Sequence, residues 1–196
     1  MNAVAEPRSL QREWWGRTFA VFQRPRLVFR ALTDDSSDAA EARQEPILAI
    51  VVLAGIAGVL TTSLAGRLLD DPNNDGWNIA VWAFLGGAFY GFLVYWLGGL
   101  LVHAVAHGLR ARTTYRQARH VVGFAAAPLA LALILVWPLR IAVYGGDVFR
   151  TGGSDTGAGD VVFRFLLVAA YAWTFGLVVL GLLELRKASS SSSGIS

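Results

Sequence analysis

The stretch Gly76–Leu109, GWNIAVWAFLGGAFYGFLVYWLGGLLVHAVAHGL, runs for 34 residues without Asp, Glu, Lys or Arg. An α-helix crosses the hydrocarbon core of a bilayer with about 20 apolar residues. The stretch is therefore long enough for one crossing and too short for two crossings joined by a turn. It predicts one long membrane-spanning helix that projects beyond the bilayer.

Three further apolar segments flank this stretch: Pro46–Gly66, Val121–Leu139 and Phe165–Leu183. Backbone groups in hydrocarbon must be satisfied within a helix or a closed barrel, and these runs do not alternate as barrel strands do. The expected fold class is all-α, a polytopic membrane helix bundle with an N-terminal interfacial amphipathic helix. The four predicted transmembrane helices cover residues 46–66, 78–107, 120–144 and 161–184. A fifth crossing stays open.

The composition agrees with a membrane protein and excludes several other classes. The chain is 55% hydrophobic and 16% charged, with a mean hydropathy of +0.48, whereas soluble proteins are about 25% charged. The absence of cysteine excludes disulfides, thiolate metal sites and thiol catalysis. The net charge of +3 comes mainly from Arg at the ends of apolar segments, a topology signal that predicts no nucleic-acid partner.

The basic residues set the expected orientation. Thirteen of the 17 Lys and Arg residues lie before the first apolar segment, between the second and third, or after the fourth. Because cytoplasmic loops of membrane proteins are enriched in Lys and Arg, we expect a multi-pass protein of the cell membrane with both termini in the cytoplasm. The 1–45 region would be cytoplasmic, 46–185 the transmembrane domain, and 186–196 a disordered Ser-rich tail.

An amphipathic helix is predicted between Leu10 and Arg24. On a helical wheel, one half holds Leu10, Trp14, Trp15, Phe19, Val21 and Phe22, and the other holds Arg12, Glu13, Arg17, Gln23 and Arg24. Aromatic residues opposite Arg are typical of a helix lying on anionic lipid. Docking of the same helix on the end of the helix bundle is the alternative, and the pattern leaves both open.

The loop after the long apolar stretch adds positive charge on the same predicted side. The predicted lipid-surface residues are Arg12, Trp14, Trp15, Arg17, Phe19, Phe22, Arg24, Arg110, Arg112, Arg116 and Arg119. We therefore expect membrane lipids, in particular anionic ones, as partners. Association with a second copy or with other membrane proteins stays open.

Small residues recur at four-residue spacing in the long apolar stretch, at Ala83, Gly87 and Gly91. Such a stripe lets two helices approach closely. It predicts helix packing within the chain, with dimerisation as the alternative.

Three histidines are the candidates for a metal site. His103 and His107 lie one helical turn apart, and His120 begins the next apolar segment on the same predicted side. Two His at this spacing can hold a metal from one helix face, but no Glu lies between them and no Cys is present. With no nucleophile elbow or phosphate-binding loop either, we expect no enzyme activity, no metal and no cofactor.

Two stretches resemble the Yip1 domain family of small polytopic membrane proteins, in its divergent bacterial branch. The first is Arg24–Leu32, RPRLVFRAL, which is similar to the family's entry segment before the membrane. The second is Thr113–Arg119, TTYRQAR, which leads into the proline-bearing VVGFAAAPL of Val121–Leu129. The order of a polar amphipathic N-terminus followed by clustered helices agrees. The eukaryotic motif associated with Rab GTPase partners is absent, and family members often have five helices.

Together these features predict a non-enzymatic protein that organises or scaffolds the membrane at its cytoplasmic surface. A small-solute permease or channel beside Pro128 and Pro138 is the alternative, because broken helices occur at transporter binding sites. A metal-dependent membrane enzyme that uses the three histidines is the second alternative.

Overall fold

The computed structural model describes residues 7–34, 36–154 and 157–192, and side chains within 13–190 of these ranges. This part of the chain is all-α and contains no β-strand. The helices are α1 (Pro7–Gln23), α2 (Pro25–Ala31), α3 (Ser37–Leu60), α4 (Gly76–Gly108), α5 (Tyr115–Ala125), α6 (Ala127–Tyr144) and α7 (Ala158–Ser192). Short 3-10 helices at Ala65–Asp70 and Gly145–Phe149 follow α3 and α6.

Within the described ranges, four helical segments are long and apolar enough to cross a membrane. They are α3, α4, the α5–α6 segment and α7, so the predicted class of polytopic all-α membrane protein is confirmed. Only 28% of the most apolar window of α4 and 22% of that of α7 is buried. Most apolar side chains of these two helices are thus exposed, as contact with lipid requires.

The first membrane helix begins earlier than predicted. α3 starts at Ser37 and ends at Leu60, and Pro46 lies inside it, whereas the sequence placed the helix at 46–66. The turns before Pro46 are rich in Ala, Glu, Gln and Arg, which have high helix propensity. The expected boundary between a cytoplasmic region and the membrane domain therefore falls within one continuous helix.

The third crossing is built from two helices. A capping box of Thr114 and Gln117 starts α5 at Tyr115, ahead of the predicted residue 120. α5 ends at Ala125 and α6 begins at Ala127, with Ala126 in a turn. The break is explained by Pro128, which has no N–H to bond the carbonyl one turn earlier.

The end of the chain is more helical than predicted. α7 continues through Lys187 to Ser192, while 193–196 lie outside the described residues. The Ser189 Oγ accepts the N–H of Arg112 at 2.7 Å, and the Ser190 Oγ donates to the Lys187 carbonyl at 2.8 Å. The Ser run led us to predict a disordered tail. In the structure two of these Ser hydroxyls make hydrogen bonds, and residues 186–192 form the end of α7.

The described residues belong to two compact units. The first consists of Met1–Ile50, Tyr95–Ala127 and Phe175–Ser196, and the second of Val51–Val94 and Pro128–Thr174. Each unit has its own buried residues.

In the second unit, glycines allow α3 and α4 to approach closely. A Cβ on Gly55 would meet the backbone of Gly87 and Gly91, and one on Gly87 would meet the backbone of Ile56. Ala83, the third member of the predicted stripe, is buried. The stripe thus packs within the chain, and α3 covers the glycines that the dimerisation alternative would use.

The connections after α3 and α6 contact each other in the same unit. Thr151 donates its backbone N–H, at 3.0 Å, and its hydroxyl to the carboxylate of Asp70. The Thr151 hydroxyl bond and then its N–H bond hold the pKa of Asp70 below its ordinary value. In the same unit, Ala57, Ile79, Trp137, Val148 and Phe149 form a buried apolar cluster.

Candidate functional site

In the first unit, α1 docks on α5 through Trp14. The Trp14 side chain is 2% exposed, and its ring lies 5.6 Å from that of Phe124. Two guanidinium groups contact the same indole ring, Arg17 at 4.3 Å and Arg43 at 5.5 Å from its centroid. Trp14 was predicted as a lipid-surface residue, but in the structure it is a packing residue. Lipid and protein interiors both favour an apolar side chain, so the wheel alone does not separate them.

The exposed side of α1 and α2 carries other apolar residues. Phe19 is 72% exposed, and Trp15 and Leu27 are exposed as well; we call these three the outer face of α1–α2. The buried side carries Val21, Val28, Phe29 and Leu32. Phe22 is half-buried and Arg24 is exposed, whereas the side chain of Arg12 lies outside the described residues. Docking therefore fixes which aromatic residues of the predicted face point outward.

α2 is tied to α7 by an ion pair. Nε of Arg30 donates to Glu184 at 2.8 Å, and Nζ of Lys187 donates to the other carboxylate oxygen at 3.3 Å. Glu184 is buried beneath these two exposed cations. Because its partners cover it, the carboxylate serves as an anchor for the N-terminal helices.

The basic loop after α4 begins with a strained residue. Arg110 has a φ of 58°, the left-handed conformation that usually belongs to Gly at a helix end. Its N–H bonds the His107 carbonyl at 2.9 Å, and the Ala111 N–H bonds the Ala106 carbonyl at 3.0 Å, which is the Schellman pattern. The Arg110 and Arg112 side chains are exposed, and the Arg116 side chain is half-buried.

Arg119, on α5, is held by three aromatic rings. Its guanidinium carbon lies 4.6 Å from the centroid of Trp96 and 5.8 Å from those of Tyr95 and Tyr115. We call this arrangement the Arg119 cage. The Tyr115 hydroxyl bonds the Trp96 carbonyl at 2.9 Å, which fixes one side of the cage. Arg119 thus differs from the exposed arginines of the loop with which it was grouped.

Two residues that position this site carried weak sequence signals. Gly99 lets α5 come close to α4, because a Cβ there would meet the backbone of Arg119. It lies eight residues, or two steps of the four-residue spacing, after Gly91, with Tyr95 at the step between, and that was the available signal. Arg43 is fully buried and donates to the Asp34 carbonyl at 2.9 Å. Its position in a turn of α3 beside Trp14 becomes visible only in the folded chain.

The three histidines have different environments among the described residues. Within the described ranges, no group of three or more His, Cys, Asp or Glu residues is placed to hold a metal ion. His103 packs edge-on against Tyr115 at 6.2 Å, His107 is exposed, and His120 is buried in α5. The structure therefore does not bring together the ligands that the metal-enzyme alternative requires.

The second unit has a buried charge cluster of its own. Asp160 accepts Nη2 of Arg140 at 3.1 Å and Nη2 of Arg164 at 2.8 Å, and Ser154 also bonds Arg140. A groove of about 400 Å³ lies alongside. Its lining residues are Gly157, Asp160, Val161, Arg164, Phe165 and Val168. All but Gly157 belong to α7, so this is a groove along one helix, and it gives no support to a solute passage beside Pro128 and Pro138.

Comparison with known proteins gives one match. A family model described as Yip1 domain matches residues 19–195. No curated protein and no solved structure matches the chain. The match begins inside α1, after Trp14, and includes α2 and the four membrane-spanning segments.

Proposed function

The chain belongs to the Yip1 domain family, and from that premise we propose that it is a non-enzymatic protein that organises or scaffolds the cell membrane. Its working surface consists of the outer face of α1–α2 and the basic loop after α4. Both termini lie in the cytoplasm, and anionic lipids of the inner leaflet are the partner. The charge distribution supports this orientation, because most Lys and Arg residues flank the segments on that side.

The docking of α1 is the observation that carries the proposal. Trp14 fixes the helix on α5, yet Phe19 stays 72% exposed and Trp15 and Leu27 are exposed beside it. Exposure of these apolar side chains to water would cost about 25 cal/mol of free energy for each Å² of apolar surface. At the lipid headgroup layer the same side chains are stabilised, and the arginines next to them meet lipid phosphates. A helix held at a fixed rotation can thus present one defined face to the membrane.

Arg110 supports a role for charge in the loop. Gly would relieve the left-handed conformation at this helix end, but the residue present is an exposed Arg. A backbone strain of roughly 1–3 kcal/mol is accepted in proteins mainly where the residue has a use. We infer that Arg110 is present at this position for its positive charge, which faces anionic lipid.

Spin labels on the full-length protein test the proposal. The chain has no cysteine, so single Cys residues at Phe19 and at Glu13 can each be labelled without background. Glu13 is exposed on the polar side of the same helix. In anionic nanodiscs, the label at residue 19 should be more accessible to oxygen than to a water-soluble nickel reagent, and the label at residue 13 should show the reverse.

Neutral nanodiscs provide the comparison that isolates charge. We expect the membrane depth of the residue 19 label to decrease in phosphatidylcholine alone, since attraction to the arginines is lost. A residue 19 label that is as water-accessible as the residue 13 label, in both lipids, would contradict the proposal.

A further inference from the structure

We propose that the Arg119 cage is a binding site for the phosphate of a single anionic phospholipid, with an acyl chain of that lipid along α4. This inference rests on the proposed function, because it names one defined lipid site within the surface assigned to lipid.

The guanidinium of Arg119 has aromatic contacts but no anionic partner among the described residues. Its carbon lies within 4.6–5.8 Å of three ring centroids, and its Nε is buried without a hydrogen bond. Stacking occupies the faces of a guanidinium and leaves its in-plane N–H donors available. A cation next to apolar helices needs an anion to compensate it, and a phosphate group accepts two parallel N–H bonds from Arg.

His103, whose ring contacts Tyr115 of the cage, also has an unsatisfied polar atom. Nδ1 of His103 is buried without a hydrogen bond, and the His103 ring lies 6.2 Å from that of Tyr115. Oγ1 of Thr113, two residues before Tyr115, is also buried without a partner. Most buried polar side-chain atoms in proteins are bonded, so unsatisfied nitrogens on both Arg119 and His103, which each contact Tyr115, indicate a place where a polar ligand binds.

The surface next to the cage identifies the ligand as a lipid. Trp96 is 49% exposed, and its neighbours Leu97, Leu100 and Leu101 on α4 are exposed as well. These residues follow one another along one side of the helix. Free phosphate would use only the cationic end of this surface, whereas a phospholipid uses both the cation and the leucines. The basic residues of the loop favour a lipid with net negative charge.

The cage is positioned by packing that does not involve the ligand. The glycines at 98 and 99 leave room for α5, since a Cβ on Gly98 would meet Val122 and one on Gly99 would meet Arg119. The Tyr115 hydroxyl fixes the third ring to the backbone of α4. A preformed site of this kind loses little conformational freedom when the lipid binds.

Native mass spectrometry of the full-length protein is the first test. Protein purified in mild detergent from bilayers of phosphatidylglycerol and phosphatidylcholine should retain a single phosphatidylglycerol. Arg119→Gln should lower this occupancy by about tenfold, the effect expected from one bidentate charge-assisted contact. Arg186→Gln removes one exposed cation from the end of α7 and should leave the occupancy unchanged. Wild-type protein without bound lipid, or equal losses in both variants, would overturn the proposal.

Arg119→Lys is a second variant that keeps the test valid if Arg119→Gln does not fold. It keeps the positive charge and loses the planar guanidinium group. We expect an occupancy between those of wild type and Arg119→Gln, and an occupancy equal to wild type would refute the caged geometry. Short-chain phosphatidylglycerol should raise the melting temperature of wild type more than inorganic phosphate does at the same concentration. Equal stabilisation by phosphate would overturn the assignment to a lipid.

The two proposals fail in different ways. If the occupancy does not depend on Arg119 while the spin label at residue 19 stays deep in anionic nanodiscs, only the phospholipid site is wrong. If the label is exposed to water while the lipid remains bound at Arg119, only the surface role of α1–α2 is wrong.

Discussion

Charged residues that share a sequence pattern have different environments in this protein. Arg110 is exposed in a left-handed turn, Arg119 lies among three rings, and Arg43 is fully buried beside Trp14. The sequence assigned Arg110 and Arg119 to one lipid-facing loop by their charge and their nearness to an apolar segment. The aromatic partners of Arg119 come from α4 and α5, and those of Arg43 from α1, so their roles depend on contacts between helices that no local pattern contains.

Substitution of Arg110 by Gly separates strain from charge. Because Gly adopts positive φ without a steric penalty, Arg110→Gly should raise the free energy of unfolding by about 1 kcal/mol. Arg112→Gly is the control. Arg112 has no positive φ, so we expect Gly at this position to lower the free energy of unfolding. Thermal melting in detergent measures both. A lower melting temperature for Arg110→Gly would contradict the conformational argument.

The buried carboxylate of Asp160 should be needed for stability. Its side chain is 6% exposed and that of its partner Arg140 is 15% exposed. Asp160→Asn leaves this cation uncompensated, and we expect a loss of about 3 kcal/mol in the free energy of unfolding. Asp147→Asn breaks the pair with Arg150, in which both side chains are 58% exposed, and should change stability by about 0.5 kcal/mol or less. Similar melting temperatures for the two variants would show that the buried cluster contributes little.

At the scale of helices, the sequence predicted which segments cross the membrane but not where they begin and end. Four spans follow from apolar length alone, and α4 matches its prediction to within two residues at either end. α3 begins before Pro46, and the third crossing divides at Ala126 ahead of Pro128. Pro128 follows a break between two helices, whereas Pro46 lies inside a continuous helix. Proline alone therefore does not predict where a helix ends, although it removes one backbone hydrogen bond in each case.

The two neighbouring glycines of α4 provide a matched test of helix packing. A Cβ on Gly87 would lie 2.5 Å from the Cα of Ile56, whereas one on Gly86 would lie 3.9 Å from the Val59 side chain. Gly87→Ala should therefore force α3 and α4 apart and cost about 1–3 kcal/mol. Gly86→Ala should be neutral or stabilise by up to about 1 kcal/mol, since Ala favours helix. Equal melting temperatures would mean that α3 and α4 do not pack through Gly87.

At the scale of the whole molecule, apolar surface and charge together determine how the protein sits in a membrane. α4 and α7 expose most of their apolar side chains, and the Lys and Arg residues are unevenly distributed among the connections. The number of crossings could be predicted because hydrocarbon imposes a minimum helix length. The docking of α1 could not be predicted from the sequence, because burial of Trp14 in protein and burial in lipid lower the free energy by similar amounts.

Cysteine labelling of intact cells tests the orientation. Single Cys residues at Ser37 and Arg112 should be protected from an impermeant thiol reagent, and those at Asn73 and Asp147 should react. All four positions are exposed, unlike Ser154, whose burial would hide a label. Labelling of Ser37 but not Asn73 would reverse the orientation, and labelling of both Asn73 and Arg112 would contradict four crossings.

The anchor of α2 has a consequence for how the protein is made. Arg30 is synthesised early, but its partner Glu184 follows 154 residues later. At about 5–20 residues per second, translation takes roughly 8 to 30 seconds to cover this interval. During that time α2 lacks the end of α7 with which it finally pairs. α2 can therefore reach its final position only after the last membrane-spanning helix has been made.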